Sequence, residues 1–159
     1  MKYLLLLTLF LGGFESEINE VPNFRLKNLE NRTVSYNQIK GKNLTVIDFW
    51  ATWCKPCVKS IPEFVKMDEE FEDSDVQFIG ISIEGPRNKA KVKPFIRSLG
   101  VEYPVLRDSD SSVMARLRVT AVPTLLIVNA DNEILYFHEG YKSGEEVKIK
   151  NKILELLEE

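Results

Sequence analysis

The chain has 159 residues, of which 44% are hydrophobic and 28% charged, and this composition is typical of a single globular domain. Its formal net charge is -3 and its isoelectric point is near 5.4, with no basic patch, so nucleic acid is not an expected partner. A domain of this length buries roughly two-thirds of its unfolded surface, so it does not need disulfides in order to fold.

The first thirteen residues have the pattern of a secretory signal. Lys2 supplies a positive charge, residues 3–11 form a short apolar run, and two glycines follow. The run is well short of the roughly 20 residues that a membrane span needs. The alternatives are an uncleaved N-terminal anchor and a buried strand. Export is the preferred interpretation, and it places the cysteines where disulfides persist. The predicted division of the chain is a signal-like segment at 1–13, a short linker at 14–20 and one domain at 21–159.

The first part of the domain predicts two short strands followed by a longer buried one. Apolar residues alternate with polar ones over residues 24–29, up to a turn at 30–32, and residues 33–35 return as a second strand. Residues 44–50 are almost continuously apolar, which is typical of a central strand covered on both faces.

The rest of the domain predicts alternating strands and helices. A helix follows Cys57, and we expect Pro62 to kink it because proline removes a backbone donor and crowds the preceding turn. The later predicted elements are a core strand at 76–83, a helix at 92–99 ended by Gly100, an extended piece at 103–106, a short helix at 113–117, strands at 124–128 and 133–137 around a turn, and a final helix opening at Ser143 or Gly144. This order predicts an α/β sandwich with a mixed central sheet.

The only two cysteines, Cys54 and Cys57, stand two residues apart. A structural zinc site needs four ligands, whereas the chain offers two thiols and one histidine, His138, so no metal is expected. A disulfide that served only as a staple would close a very short loop. Such a loop constrains the unfolded chain very little, so this use of the pair is also disfavoured.

Reversible redox chemistry suits the local context better. Cys54 follows a core strand and precedes a helix, so its thiolate is stabilised by unpaired backbone donors and by the helix dipole, which lower its pKa. Lys55 adds a nearby positive charge. Cys57, one turn deeper, is expected to be less accessible and to act as the resolving thiol. Pro56 limits the freedom of the turn between them.

The segment FWATWCKPC, residues 49–57, resembles the active-site segment of thioredoxin-fold oxidoreductases, and the longer pattern resembles their extracytoplasmic TlpA/ResA-like branch. The signal-like start, the N-terminal hairpin, the inserted stretch between Ile83 and Tyr103, and the V-P-T before a late strand support this resemblance. It covers about residues 21–157. It implies a thioredoxin-like three-layer sandwich, with helices on both faces of the central mixed sheet and an N-terminal β-hairpin, and a thiol–disulfide oxidoreductase that uses no cofactor.

The resemblance also implies where a client would dock. Pro123 precedes an apolar strand, and the family pattern implies a cis Val122–Pro123 bond facing the cysteines, with the Val122 backbone free to pair with a bound peptide. Alternatively, Pro123 is an ordinary proline at the start of a strand. Trp53 and Pro56 complete the expected substrate-binding residues.

Asp48 is a carboxylate inside an apolar strand, where an ionised group is costly to bury. Its position matches the buried acid of thioredoxins, which exchanges a proton with the resolving cysteine. Burial would raise its pKa and make it a usable base near neutral pH. Alternatively, its side chain reaches water at a strand end.

The expected function is disulfide reduction or exchange in exported client proteins, with Cys54 as nucleophile and Cys57 resolving the mixed disulfide. The expected partners are disulfide-containing clients, such as apocytochromes or proteins under repair, and a membrane or extracytoplasmic dithiol donor. The protein itself is expected to be a monomer. One departure weakens a cytochrome-maturation role, because Ser60 stands where that group commonly has a glutamate, and Glu63 does not replace it.

Two other functions remain open. A peroxiredoxin-like peroxidase would share the overall layout, but the P-x-x-x-T-x-x-C segment of peroxiredoxins is absent before Cys54. A redox-inactive peptide-docking module would keep the fold, but it would not need a pair of thiols at a helix start.

Overall fold

The structure is a computed structural model that describes residues 19–158. The predicted signal-like segment and residues 14–18 of the predicted linker lie outside these described residues. Between residues 19 and 158 no helix is long and apolar enough to cross a membrane.

The described residues form one sheet flanked by helices. The strands are β1 (Arg25–Asn28), β2 (Thr33–Ser35), β3 (Leu44–Trp50), β4 (Val76–Ser82), β5 (Val105–Arg107), β6 (Thr124–Asn129) and β7 (Ile134–Glu139). The helices are α1 (Tyr36–Ile39), α2 (Lys55–Glu70), α3 (Lys89–Ser98), α4 (Ser112–Arg116) and α5 (Glu145–Leu157). A 3₁₀ turn at Glu72–Ser74 separates α2 from β4.

The sheet is mixed, and its strand order is β2-β1-β5-β4-β3-β6-β7. Strands β3, β4 and β5 are parallel, and β1, β2, β6 and β7 pair antiparallel with their neighbours. The predicted N-terminal hairpin is confirmed as β1–β2, and the late hairpin as β6–β7. Because β3 and β4 are parallel, the connections that follow them both leave from the same edge of the sheet.

Two apolar clusters cover the two faces of the sheet, so the predicted three-layer sandwich is confirmed. One cluster contains the buried residues of α2, α3 and α5, together with Val46 and Trp50 of β3. The other contains residues of α1 and α4, together with Ile47 and Phe49. All seven residues of β3 are buried, as its continuous apolar pattern predicted. Alternation along β3 therefore directs Asp48 to the same face as Val46 and Trp50, under α2.

The structure departs from the sequence prediction at a few places. The short helix α1 was not predicted, although Ser35 and Gln38 have the spacing of a capping box, and the Gln38 side chain accepts from the Ser35 backbone N–H at 2.9 Å. Helix α2 runs from Lys55 to Glu70 with Pro62 inside it, as predicted, and the kink expected at Pro62 stays a prediction. Strand β5 begins at Val105, two residues later than the predicted extended piece.

Candidate active site

The two cysteines lie where the chain passes from β3 into α2. Cys54 is the N-cap of α2, and its sulfur accepts a hydrogen bond from the Cys57 backbone N–H at 3.2 Å. Pro56 lies in the first turn, where a backbone N–H has no partner within the helix and proline is therefore tolerated. The local sequence thus places Cys54 at the positive end of a 16-residue helix, as predicted.

Cys54 and Cys57 form a disulfide, with their Cα atoms 5.3 Å apart. Cys54 is 4% exposed and Cys57 is fully buried, so the order of accessibility agrees with the expected roles of the two thiols. Trp53, just before the pair, is 63% exposed and is the most exposed of the large apolar side chains in residues 19–158.

Asp48 is buried in the middle of β3, with 2% of its surface exposed. Among the described residues neither of its carboxylate oxygens has a hydrogen-bond partner. Burial in these surroundings raises the pKa of Asp48 to about 8. The alternative interpretation, in which this side chain reaches water, is therefore wrong. Asp48 is therefore mostly, but not entirely, protonated near pH 7, and it lies on the face of the sheet that α2 and Cys57 cover.

The Val122–Pro123 peptide bond is cis, as the resemblance implied. Thr124, the first residue of β6, pairs with Phe49 near the end of β3, so Val122 and Pro123 lie at the edge from which the Cys54 loop departs. Pro123 is buried, and its carbonyl accepts a hydrogen bond from Gly140 at 2.8 Å. Within residues 19–158 the Val122 N–H and carbonyl make no backbone hydrogen bond.

Ser60 takes the place of a glutamate without bringing a charge to the site. It is fully buried, and its hydroxyl donates to the Cys57 carbonyl at 3.3 Å. Glu63 forms an ion pair with Lys66 at 2.8 Å on the exposed side of α2. Glu63 is thus engaged elsewhere on the helix, in agreement with the interpretation that it does not replace the missing glutamate.

One buried acid beside the site was missed by sequence reasoning. Glu84 is 1% exposed, and one of its carboxylate oxygens accepts hydrogen bonds from the Thr52 backbone N–H, at 2.8 Å, and from the Thr52 hydroxyl. It therefore ties the segment after β4 to the loop that carries Trp53 and Cys54. The available signal was an acid just after a core strand, since the ends of parallel strands meet at one edge.

The remaining polar groups of residues 19–158 do not form a metal centre. His138 lies in β7, and its Nε2 atom is 3.4 Å from the Glu145 carboxylate. In the described part of the chain no group of three or more histidine, cysteine, aspartate or glutamate side chains is arranged to hold a metal ion.

The fold and the Cys-x-x-Cys disulfide at the start of α2 define a protein of the thioredoxin-like class. Residues 18–137 match the model of the AhpC/TSA family. Since this match spans more than half of the chain, the chain belongs to the AhpC/TSA family.

Two individual relatives and one solved structure are similar to this chain over most of its length. It is 29% identical over 120 residues to the thiol-disulfide oxidoreductase ResA of Bacillus subtilis (strain 168), covering 76% of this chain and 65% of that protein. It is 28% identical over 153 residues to sporulation thiol-disulfide oxidoreductase A of the same organism, covering 92% of each chain. Among solved structures, an uncharacterized thioredoxin-like protein from Porphyromonas gingivalis superimposes with a TM-score of 0.73 at 34% identity, covering 87% of this chain and 92% of the other.

Proposed function

We propose that this protein is a thiol–disulfide oxidoreductase that acts on disulfides of exported proteins, in the reducing direction. The observation that carries this proposal is the Cys54–Cys57 disulfide at the N-terminus of α2, above a buried acid. The names of the two Bacillus relatives support thiol–disulfide exchange. The signal-like residues 1–13 support export.

The reaction begins with the reduced protein. The Cys54 thiolate attacks one sulfur of a client disulfide, so that a Cys54–client disulfide forms while the other client sulfur leaves as a thiolate and takes up a proton. The Cys57 thiol then loses its proton and attacks the Cys54 sulfur. This step forms the Cys54–Cys57 disulfide and releases the second client thiolate. Two electrons pass to the client, and a dithiol donor outside the cytoplasm restores them.

Asp48 serves the second step. Because Cys57 is fully buried, its proton needs an acceptor inside the protein. With a pKa of about 8, Asp48 is ionised in a minor fraction of molecules near neutral pH, and this ionised carboxylate can accept the Cys57 proton. Asp48 also shares the face of the sheet that Cys57 covers. We assign Asp48 as the group that takes the Cys57 proton during resolution and returns it when the pair is reduced again.

The docking surface consists of Trp53, Pro56, Val122 and Pro123. Trp53 offers an exposed indole, and the free N–H and carbonyl of Val122 suit an extended client backbone. Disulfide-repair clients and apocytochromes both fit a groove that recognises backbone. Ser60 supplies no carboxylate beside Cys57, so the assignment favours general clients over apocytochromes alone.

Insulin reduction with dithiothreitol as electron source tests the activity. We expect turnover by the natural protein and none by Cys54→Ser. A peroxidase would instead consume hydrogen peroxide with little insulin reduction, and a docking module would do neither. Trapping with Cys57→Ser, which cannot resolve the mixed disulfide, then identifies clients. Failure of Cys57→Ser to accumulate disulfide-linked exported proteins would contradict the proposal.

A further inference from the structure

A basic cleft lies at the edge of the sheet from which the cysteine loop also departs. It has a volume of about 480 Å³, and four cationic side chains line it, those of Arg25, Lys27, Lys89 and Arg107, together with the single carboxylate of Asp110. The chain as a whole carries a net charge of -3. The cleft therefore concentrates positive charge on a molecule whose net charge is negative.

The four cations of the basic cleft have no ion-pair partner in the part of the chain that the structure describes. Within residues 19–158 none of these four cations is within ion-pair distance of a carboxylate. Arg107 donates instead to neutral acceptors, the Asn28 carbonyl at 3.1 Å and the Asn31 side chain at 2.6 Å. These two bonds hold the guanidinium in place while leaving its charge uncompensated.

The acids near the basic cleft are already engaged. Asp110 accepts from the Ser112 backbone N–H at 3.2 Å. Asp108 is fully buried, and its oxygens accept from the Val113 and Met114 backbone N–H groups at 3.2 and 2.8 Å. Three exposed cations and one fixed guanidinium thus face a single exposed carboxylate, which leaves the cleft complementary to an anionic ligand.

The sheet register places Arg107 of the basic cleft level with the end of β3, from which the cysteine loop departs. Trp50 pairs with Ser82, and Ser82 pairs with Arg107, so these residues form a row across β3, β4 and β5. Neighbouring strands are about 4.8 Å apart, so Arg107 lies about 10 Å across the sheet from the end of β3. Three residues of extended peptide span such a distance.

The same connection serves both sites. Glu84, in the segment between β4 and α3, hydrogen-bonds Thr52 in the cysteine loop. Two residues later Pro86 lines the basic cleft, and Lys89 follows at the start of α3. The segment between β4 and α3 therefore connects the cysteine loop with the lining of the basic cleft.

We propose that the basic cleft binds an acidic segment of the client protein, a few residues away from the disulfide that Cys54 attacks. This inference rests on the proposed function. An extended segment suits the site because Arg25 and Lys27 stand two residues apart on one strand, and the cleft is larger than a single small anion needs. The charges speed the encounter and select among clients, while Trp53 and Val122 hold the reacting region.

The kinetic test uses two synthetic peptides with the same intramolecular disulfide, one followed by four Asp or Glu residues and one by four Gln residues. At low salt we expect the reduced protein to react about tenfold faster with the acidic peptide than with the Gln peptide, because the effects of several exposed charge pairs add up. At high salt this rate difference should be smaller because the charges are screened. The variant Lys27→Gln/Lys89→Gln should lower this preference at least about threefold. The control Lys142→Gln/Lys148→Gln removes the same amount of charge from two exposed positions, one just before α5 and one within it, and should keep the preference for the acidic peptide. An equal preference in both variants would overturn the proposal.

A binding test keeps the proposal separate from the proposed function. A fluorescent acidic peptide without cysteine is titrated into the oxidised protein and followed by anisotropy. We expect binding that weakens at least about threefold in Lys27→Gln/Lys89→Gln and is unchanged in the control. If neither disulfide peptide is reduced but this binding is seen, the reductase assignment fails and the basic cleft stands. Absence of binding, or displacement of the peptide by inorganic phosphate at equal concentration, would overturn the cleft proposal even if reduction is normal.

Discussion

Replacing Asp48 with asparagine removes a buried carboxyl group without changing its shape. The fold raises the pKa of Asp48 from 3.8 to about 8 because burial disfavours the charged form. Between these two pH values the folded protein holds a proton that the unfolded chain has released. The contribution of Asp48 to stability is therefore fully present below about pH 4 and is lost progressively as the pH rises through about 8.

The magnitude follows from the size of the shift. A solution pH of 7 is about three units above the pKa of this carboxyl in the unfolded chain. Keeping it protonated in the fold at that pH therefore costs about 4 kcal/mol. Asparagine does not ionise, so this cost is absent in the variant. Its unpaired amide is about as costly to bury as the unpaired carboxylic acid that it replaces. We therefore expect Asp48→Asn to raise the free energy of unfolding by up to about 4 kcal/mol at pH 7 and by almost nothing at pH 4.

Urea unfolding of the oxidised proteins, followed by circular dichroism from pH 4 to pH 8, measures this difference. Asp131→Asn makes the same chemical change at an exposed turn and serves as the control. In stopped-flow exchange with a disulfide peptide, Asp48→Asn should resolve the mixed disulfide more slowly because Cys57 loses its proton acceptor. Parallel stability profiles for the variant and the natural protein would refute the burial argument. An unchanged resolution rate near neutral pH would refute the catalytic role.

Three further predictions concern the loop around the cysteines. Alkylation of the reduced protein should modify Cys54 before Cys57, which is fully buried, and mass spectrometry showing the reverse order would exchange their roles. Trp53→Ala should change the free energy of unfolding by no more than about 0.5 kcal/mol, since the indole is exposed, but it should slow disulfide exchange with protein clients. An equal slowing with a small disulfide such as hydroxyethyl disulfide would show that Trp53 is not part of the docking surface. Glu84→Ala should cost about 1–3 kcal/mol in urea unfolding because it leaves the Thr52 N–H without its acceptor, and Glu84→Gln should recover most of this; equal losses in both would show that the hydrogen bond is not the cause.

Local sequence patterns determined most of the secondary structure of this protein. The apolar run at residues 44–50 became β3 with the predicted bounds, and Gly144 became the N-cap of α5. The redox pair was evident as well, since a strand followed by Cys-x-x-Cys and a helix places the first thiol at a helix N-terminus. These features depend on contacts a few residues apart, and periodicity, capping and proline or glycine positions record such contacts directly.

Only the tertiary structure decided what surrounds that pair. The sequence left open whether the Asp48 side chain reaches water. Helix α2 covers this face of β3, and exposure of Asp48 to water is thereby excluded. The sequence did not show that Glu84 holds Thr52, 32 residues earlier, or that the row from Trp50 to Arg107 brings a basic cleft to the edge of the sheet from which the cysteine loop departs. Strand order and register come from the burial of whole faces at once. The side chains that meet at one edge of a sheet are therefore set by pairings between distant segments, which no local pattern encodes.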